Sequence, residues 1–343
     1  MKADDQHSLP PVAITMGCPV GVGPEVILRY FHAEPAATAD FVVVGDAAVL
    51  RRAAAACGMT VRLATWQEGE APVAGAIRVH QTGELDAARL SWGKPDAGTG
   101  RAMASCIEEA VRLIDRGAFA GMATCPISKT ALRLAGCPHP GHTEMLAELT
   151  GAADFAMMMA ADDLKVVLAT IHEPLCRVPS LLSREGLAAT IRLAATSLAR
   201  DFGIAEPRLA VAGLNPHAGE GGMFGDEEGR IIAPAVLACR QEGIDVDGPL
   251  PPDTVFVKAV AGAYDAVVCQ YHDQGLIPFK LLHFHDGVNV TLGLPVVRTS
   301  VDHGTAYDIA GTGAADWRSL AAACRLARSM ARNRRRFDQG RKV

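Results

Sequence analysis

Three histidines recur in one local context. His172 lies in Thr-Ile-His-Glu-Pro (170–174), His217 in Asn-Pro-His-Ala-Gly-Glu (215–220) and His272 in Gln-Tyr-His-Asp-Gln-Gly (270–275). Each follows a short apolar run that reads as a strand, and each stands among turn-forming residues. Imidazoles at strand ends can converge on one crevice. Three neutral ones leave coordination positions open for a substrate's oxygens, which is what a Lewis-acid metal site requires. For any one of the three, a hydrogen-bonded loop histidine is the plainer account; the repeated context weighs against it.

Polar residues follow His272: Asp273, Lys280, Asn289 and Arg298. Lysine offers a point charge and arginine two parallel donors, so the set suits a phosphate or carboxylate, with surface charge and helix capping as the alternative. Gly141, His142 and Thr143 open a helix over 144–149, either a further anion position or simple capping by Thr143. Residues 14–25 run from a strand into a glycine-rich turn with Pro24 at the start of a helix. The turn lacks the dinucleotide fingerprint, and reads as a close backbone approach to a ligand or as an ordinary tight turn. In 303–313, two glycine-bearing turns flank a short helical segment; His303, Gly304, Thr305, Asp308 and Gly311 could wrap an adenosine, or the segment is simply a helix with its caps. The Asp308 carboxylate would repel a 2′-phosphate, favouring NAD over NADP.

The elements that must position these groups alternate. Apolar runs at 12–16, 41–44, 119–123, 166–169, 209–212, 266–269 and 288–292 read as buried strands. Between them, 100–116 and 183–200 carry apolar residues at helical spacing, the second with Ser183 as N-cap. Such alternation predicts a mostly parallel sheet flanked by helices, with ligands beyond the carboxyl ends of the strands.

The 343 residues are 49% hydrophobic, enough for two α/β lobes. A net charge of -5 with scattered basic residues shows no nucleic-acid footprint, and the cluster Arg334, Arg335 and Arg336 reads as a solvated helix end. Nine dispersed cysteines without a C-x-x-C pair argue against a disulfide framework or zinc ribbon and for a reducing compartment. No secretory signal or membrane span is evident, so a soluble cytoplasmic protein is expected.

Six segments taken in order, 17–25, 141–144, 213–220, 248–256, 271–275 and 299–306, resemble the 4-hydroxythreonine-4-phosphate dehydrogenase (PdxA) family, and the match spans 14 to about 316. The resemblance implies a two-lobed α/β/α sandwich of the isocitrate/isopropylmalate dehydrogenase type with an interdomain cleft. It suggests a first, cofactor lobe from 1–125 and 285–343 and a second, dimerisation and metal lobe from 126–284. It implies a divalent cation (zinc, cobalt, manganese or magnesium) on His172, His217 and His272, one of them from the other subunit of a homodimer. Substrate contacts then fall on His142, Thr143, Lys280, Asn289 and Arg298. The implied chemistry is oxidation by NAD of the C3 hydroxyl of a small phosphorylated hydroxy acid, followed by decarboxylation. The proton acceptor is placed only by neighbourhood, at Asp253, Asp273 or Lys129.

Two departures bear on the substrate. Cys18 stands where the family usually has an acidic residue, and 124–129 is atypical. Residues 14–17, 223–228 and 280–289 look more like the branch acting on 4-phospho-D-threonate and 4-phospho-D-erythronate. A non-redox metal-dependent phospho-sugar enzyme and a sugar-phosphate-binding regulator are the competing classes.

Overall fold

A computed structural model describes residues 9–139 and 141–340. The twelve strands are β1 Val12–Thr15, β2 Phe41–Gly45, β3 Leu63–Thr65, β4 Ile77–Gln81, β5 Met122–Thr124, β6 Ala156–Ala160, β7 Lys165–Leu168, β8 Leu209–Ala212, β9 Val246–Leu250, β10 Ala266–Cys269, β11 Val288–Leu292 and β12 Arg298–Val301. The described residues divide into two compact units, one of 9–139, 141–152 and 294–332, the other of 153–293 and 333–340.

In the first unit the strand order is β3-β4-β2-β1-β5-β12, and every neighbouring pair is parallel. Strands covered by helices on both faces lose the polar alternation of an exposed sheet, and β1 and β2 are buried at every position. The helix Ala97–Asp115 covers one face with Cys106, Ile107, Ala110 and Leu113 against Val42, Val44 and Phe119. Asp96 caps it by accepting from Thr99 N while Thr99 Oγ1 accepts from Asp96 N, a reciprocal box of the kind that stabilises a helix start by about 1 kcal/mol.

In the second unit the order is β11-β6-β7-β10-β8-β9. Strand β6 runs antiparallel to both neighbours, whereas β7, β10, β8 and β9 are mutually parallel. The helix Arg184–Arg200 begins where expected, with Ser183 Oγ accepting from Gly186 N. The alternating α/β reading therefore holds, with one antiparallel strand inside the second unit.

One surface expectation is corrected. The helix Arg318–Gly340 runs through the basic cluster, but Arg334 is not a solvated charge: it donates from two nitrogens to the buried Asp201, at 2.7 and 2.8 Å. Arg200 donates to the same carboxylate, and a charge buried in this way persists only when paired. All nine cysteines are free; Cys176 is exposed and the others are buried or half-buried. Among the described residues, no helix is long and apolar enough to cross a membrane.

Candidate active site

His172, His272 and His217 follow β7, β10 and β8, which lie side by side, so their loops leave the same edge of the parallel sheet. Polar cross-links tie the strand ends together. Thr170 Oγ1 donates to Gln270 O, Gln270 Nε2 to Ala212 O, and Gln274 Nε2 to Gly213 O, all at 2.7 to 2.8 Å and all buried. These three residues were not singled out from the sequence; the two glutamines flanking His272 were the available signal.

The rings of His172 and His272 lie 5.5 Å apart between centroids. His272 Nδ1 meets Asp273 Oδ1 at 2.7 Å. A carboxylate on Nδ1 fixes the tautomer and leaves Nε2 as the donor to a cation, the usual arrangement behind metal-ligating imidazoles. Two adjacent imidazoles, one already oriented, fit a divalent cation as a partial ligand set. Among the described residues no three His, Cys, Asp or Glu side chains come together closely enough to hold a metal ion alone.

His217 stands on an unusual backbone. From His217 to Gly221, five successive residues have φ of 54°, 54°, 80°, 43° and 66°. The left-handed region costs an L residue about 1–2 kcal/mol, and His217, Ala218 and Glu220 all pay it. Glu228, buried and unrecognised in the sequence, braces the loop by accepting from Leu214 N at 2.8 Å and Asn215 N at 2.7 Å.

In the first unit Arg298 is 4% exposed and donates to Thr124 Oγ1 from two nitrogens, at 3.2 and 2.9 Å. Burial pushes its pKa down to about 10, against the raising influence of Glu144, so the guanidinium is still charged at neutral pH. His142 opens the helix His142–Thr150. Burial, then the neighbouring Arg298 charge, hold its pKa well below the usual imidazole range. Its Nε2 is sealed from solvent without a hydrogen-bond partner among the described residues. A buried cation beside a neutral imidazole with an unsatisfied nitrogen forms a corner suited to an anionic or hydroxyl-bearing ligand. Thr143 is the second residue of this helix and does not cap it; the N-cap is Gly141. Lys129, exposed at the start of the helix Lys129–Leu134, runs its stem beside Gly141.

The remaining candidates are more dispersed. Lys280 is half-buried on the helix His272–Leu282 and Asn289 half-buried on β11, while Asp253 is exposed just before the helix Val255–Val260. Asp273 is exposed and paired with His272 Nδ1.

The segment 303–313 contains turns and no helical segment, correcting that expectation. Glu25, fully buried in the first turn of the helix Gly23–Ala33, accepts from Gly311 N at 3.0 Å and Ala315 N at 2.8 Å. Arg29 donates to Gly313 O from the same helix. Thr305 O accepts from Val22 N at 3.0 Å; His303 Nδ1 donates to Gly304 O, and Gly304 and Asp308 are exposed. The glycines of the 17–23 turn make room for protein rather than ligand: a Cβ on Gly17 would lie 2.5 Å from Pro126 O, and one on Gly21 2.9 Å from Thr305 O. That turn, with Glu25 of the helix it opens, supports the 303–313 loop.

Comparison with known proteins agrees along nearly the whole chain. The family model described as pyridoxal phosphate biosynthetic protein PdxA matches residues 37–327. A 4-hydroxythreonine-4-phosphate dehydrogenase of Desulfosudis oleivorans is 53% identical over 330 residues, covering 93% of this chain and 95% of that protein. A D-threonate 4-phosphate dehydrogenase of Salmonella typhimurium is 47% identical over 324 residues, covering 93% and 98%. The crystal structure of 4-hydroxythreonine-4-phosphate dehydrogenase from Klebsiella pneumoniae superposes with a TM-score of 0.88 at 45% identity, covering 96% of this chain and 99% of that one.

Proposed function

The chain belongs to the family of the pyridoxal phosphate biosynthetic protein PdxA and is an oxidoreductase acting on a CH–OH group; from that premise we propose that it is a metal-dependent NAD dehydrogenase of a 4-phosphorylated four-carbon hydroxy acid, with 4-hydroxythreonine 4-phosphate as substrate. The observation that carries the metal-dependent reading is the placement of three histidine loops on neighbouring parallel strands. His172, His217 and His272 are the cation ligands, one of them given by a second copy of the chain in a homodimer. A divalent cation held by these residues would supply Lewis acidity at the substrate's C3 oxygen. NAD supplies the hydride acceptor.

The chain's own residues bind and orient. Arg298, with His142 and Thr143, takes an anionic group of the substrate through charge-assisted bonds in a dry corner, where each is stronger than in water. Lys280 and Asn289 contribute further substrate contacts. Asp273 holds the His272 tautomer, which leaves Lys129 and Asp253 as proton acceptors, with Lys129 placed beside the His142 helix. Glu25 and Arg29 hold the 303–313 loop, where His303, Gly304, Thr305, Asp308 and Gly311 take the adenosine of NAD. The enzyme works in the cytoplasm.

A second reading, oxidation of 4-phospho-D-threonate or 4-phospho-D-erythronate, is supported by the 47% identity to a D-threonate 4-phosphate dehydrogenase and by residues 14–17, 223–228 and 280–289, which look more like that branch. A panel of 4-phosphorylated hydroxythreonine, threonate and erythronate isomers, assayed for NADH and NADPH before and after chelation, separates the two. Turnover is expected with NAD only, and is abolished by chelation and by His217→Ala. Absence of NADH with every substrate would refute the dehydrogenase reading.

A further inference from the structure

We infer that Glu228 is the positioning residue that presents His217 to the cation; the inference rests on the proposed role of His217 as a ligand and extends it to the group that sets the ligand's geometry. The left-handed run from His217 to Gly221 is a shape its L residues resist, so it persists only if its surroundings impose it. Glu228 lies directly beneath. Its Oε1 accepts the N–H groups of Leu214 and Asn215, and its Oε2 accepts Asn215 Nδ2 at 3.0 Å. Asn215 Nδ2 also reaches Glu227 Oε2 at 2.8 Å.

Leu214 and Asn215 are the residues that lead into Pro216 and His217, so the carboxylate fixes the peptide planes from which the turn departs. The fit is close on both sides. A Cβ added to Gly213 would lie 3.2 Å from Glu228 Oε1, and one added to Gly219 2.7 Å from Oε2. Two glycines of the loop thus leave the space that this carboxylate fills. Glu228 itself begins a π-helical turn, Glu228–Ile232, a rare widening of the helix that recurs at functional sites. A left-handed run, a π turn and a buried carboxylate bonded to successive backbone amides all meet at the loop that carries one imidazole. Glu228 acts on that imidazole through the backbone alone.

The test is calorimetric titration of the chelator-stripped full-length protein with Zn2+ and with Co2+, in the wild type and in Glu228→Gln and Glu228→Ala, alongside the thermal midpoint of each metal-free form. Glu228→Ala should weaken cation affinity about 10–100-fold, the range for groups that orient metal ligands. Glu228→Gln, which keeps the shape and one acceptor, should weaken it less. Saturating metal should restore kcat in both variants while the metal concentration for half-activity stays raised, a split that a purely structural role would not produce. Wild-type affinity in folded Glu228→Ala overturns the inference, and if that variant does not fold, wild-type affinity in Glu228→Gln overturns it. A wild-type protein that binds neither cation would refute the ligand role of His217 itself, a failure distinct from unchanged affinity in the variants.

Discussion

Arg298 and His272 represent two ways of preparing a charged site. Arg298 is almost fully buried against Thr124, with a sealed imidazole beside it. The side chain of His272 remains 34% exposed, steadied by one carboxylate and one neighbouring ring. In the first unit the desolvation cost is met during folding, so the corner waits for an anion with its electrostatics in place. In the second, the His272 ring is oriented and the imidazoles stay accessible to solvent, so a cation would bind groups that folding has not desolvated. Affinity for the anionic group should therefore be built into the fold, whereas affinity for the metal should depend on pH, on chelators and on further donors.

Substitution at Arg298 should break this contrast most severely. Arg298→Lys loses the paired donors, and kcat/KM should fall about 10³-fold, as when preorganised charge stabilisation is removed; steady-state kinetics under saturating metal would show it. A fall of less than tenfold would mean that the corner does not hold the reacting substrate. In the second unit, His272→Ala should cost about 10²-fold in activity, in line with loss of a metal ligand, and leave the thermal midpoint of the metal-free protein within about 2 °C of the wild type, because little buried surface is lost. A large drop in that midpoint would show that the ring serves the fold instead.

The smallest effect concerns acid. His142 has a folded-state pKa below the unfolded value of 6.5, so the unfolded chain binds the extra proton between those values. Its contribution to stability is complete above pH 6.5 and is lost as pH falls towards the folded value. Denaturant melts between pH 7.5 and 5 should show the wild type losing stability faster than His142→Asn. Parallel curves would place His142 in a wetter environment than its sealed Nε2 indicates.

How much of this was readable in the chain depends on the physics of each segment. Strands at 209–212, 266–269 and 288–292 match the apolar runs residue for residue because valine, leucine and alanine, with Cys269 and Thr291, fill their buried positions. Strand β6 is Ala-Met-Met-Met-Ala, without a β-branched residue, and β9 contains Asp247, Gly248 and Pro249; neither carries the usual signal. Strand β12 is polar yet buried, since Thr299 Oγ1 donates to Ala323 O and Ser300 Oγ to Thr124 O. Hydrogen bonding, not apolarity, is what allows it inside.

For the site, the strand-end position of His172, His217 and His272 followed from local pattern alone. Nothing local indicated that Glu25 serves a loop 286 residues away, or that Arg334 closes on Asp201. Those pairings belong to the tertiary structure. For the 17–23 turn the glycines allowed either the close approach of a ligand or an ordinary tight turn, and the backbone of Pro126 and Thr305 lies against Gly17 and Gly21.

The distribution of thiols has a practical consequence. Cys176 alone among nine cysteines is exposed, and it lies four residues beyond His172. Under native conditions a bulky maleimide dye meets one exposed sulfur ahead of the half-buried Cys57 and Cys137, so the protein carries a preferred attachment point for a fluorophore near the histidine loops. Emission from that label would follow cation uptake in real time, without an engineered handle.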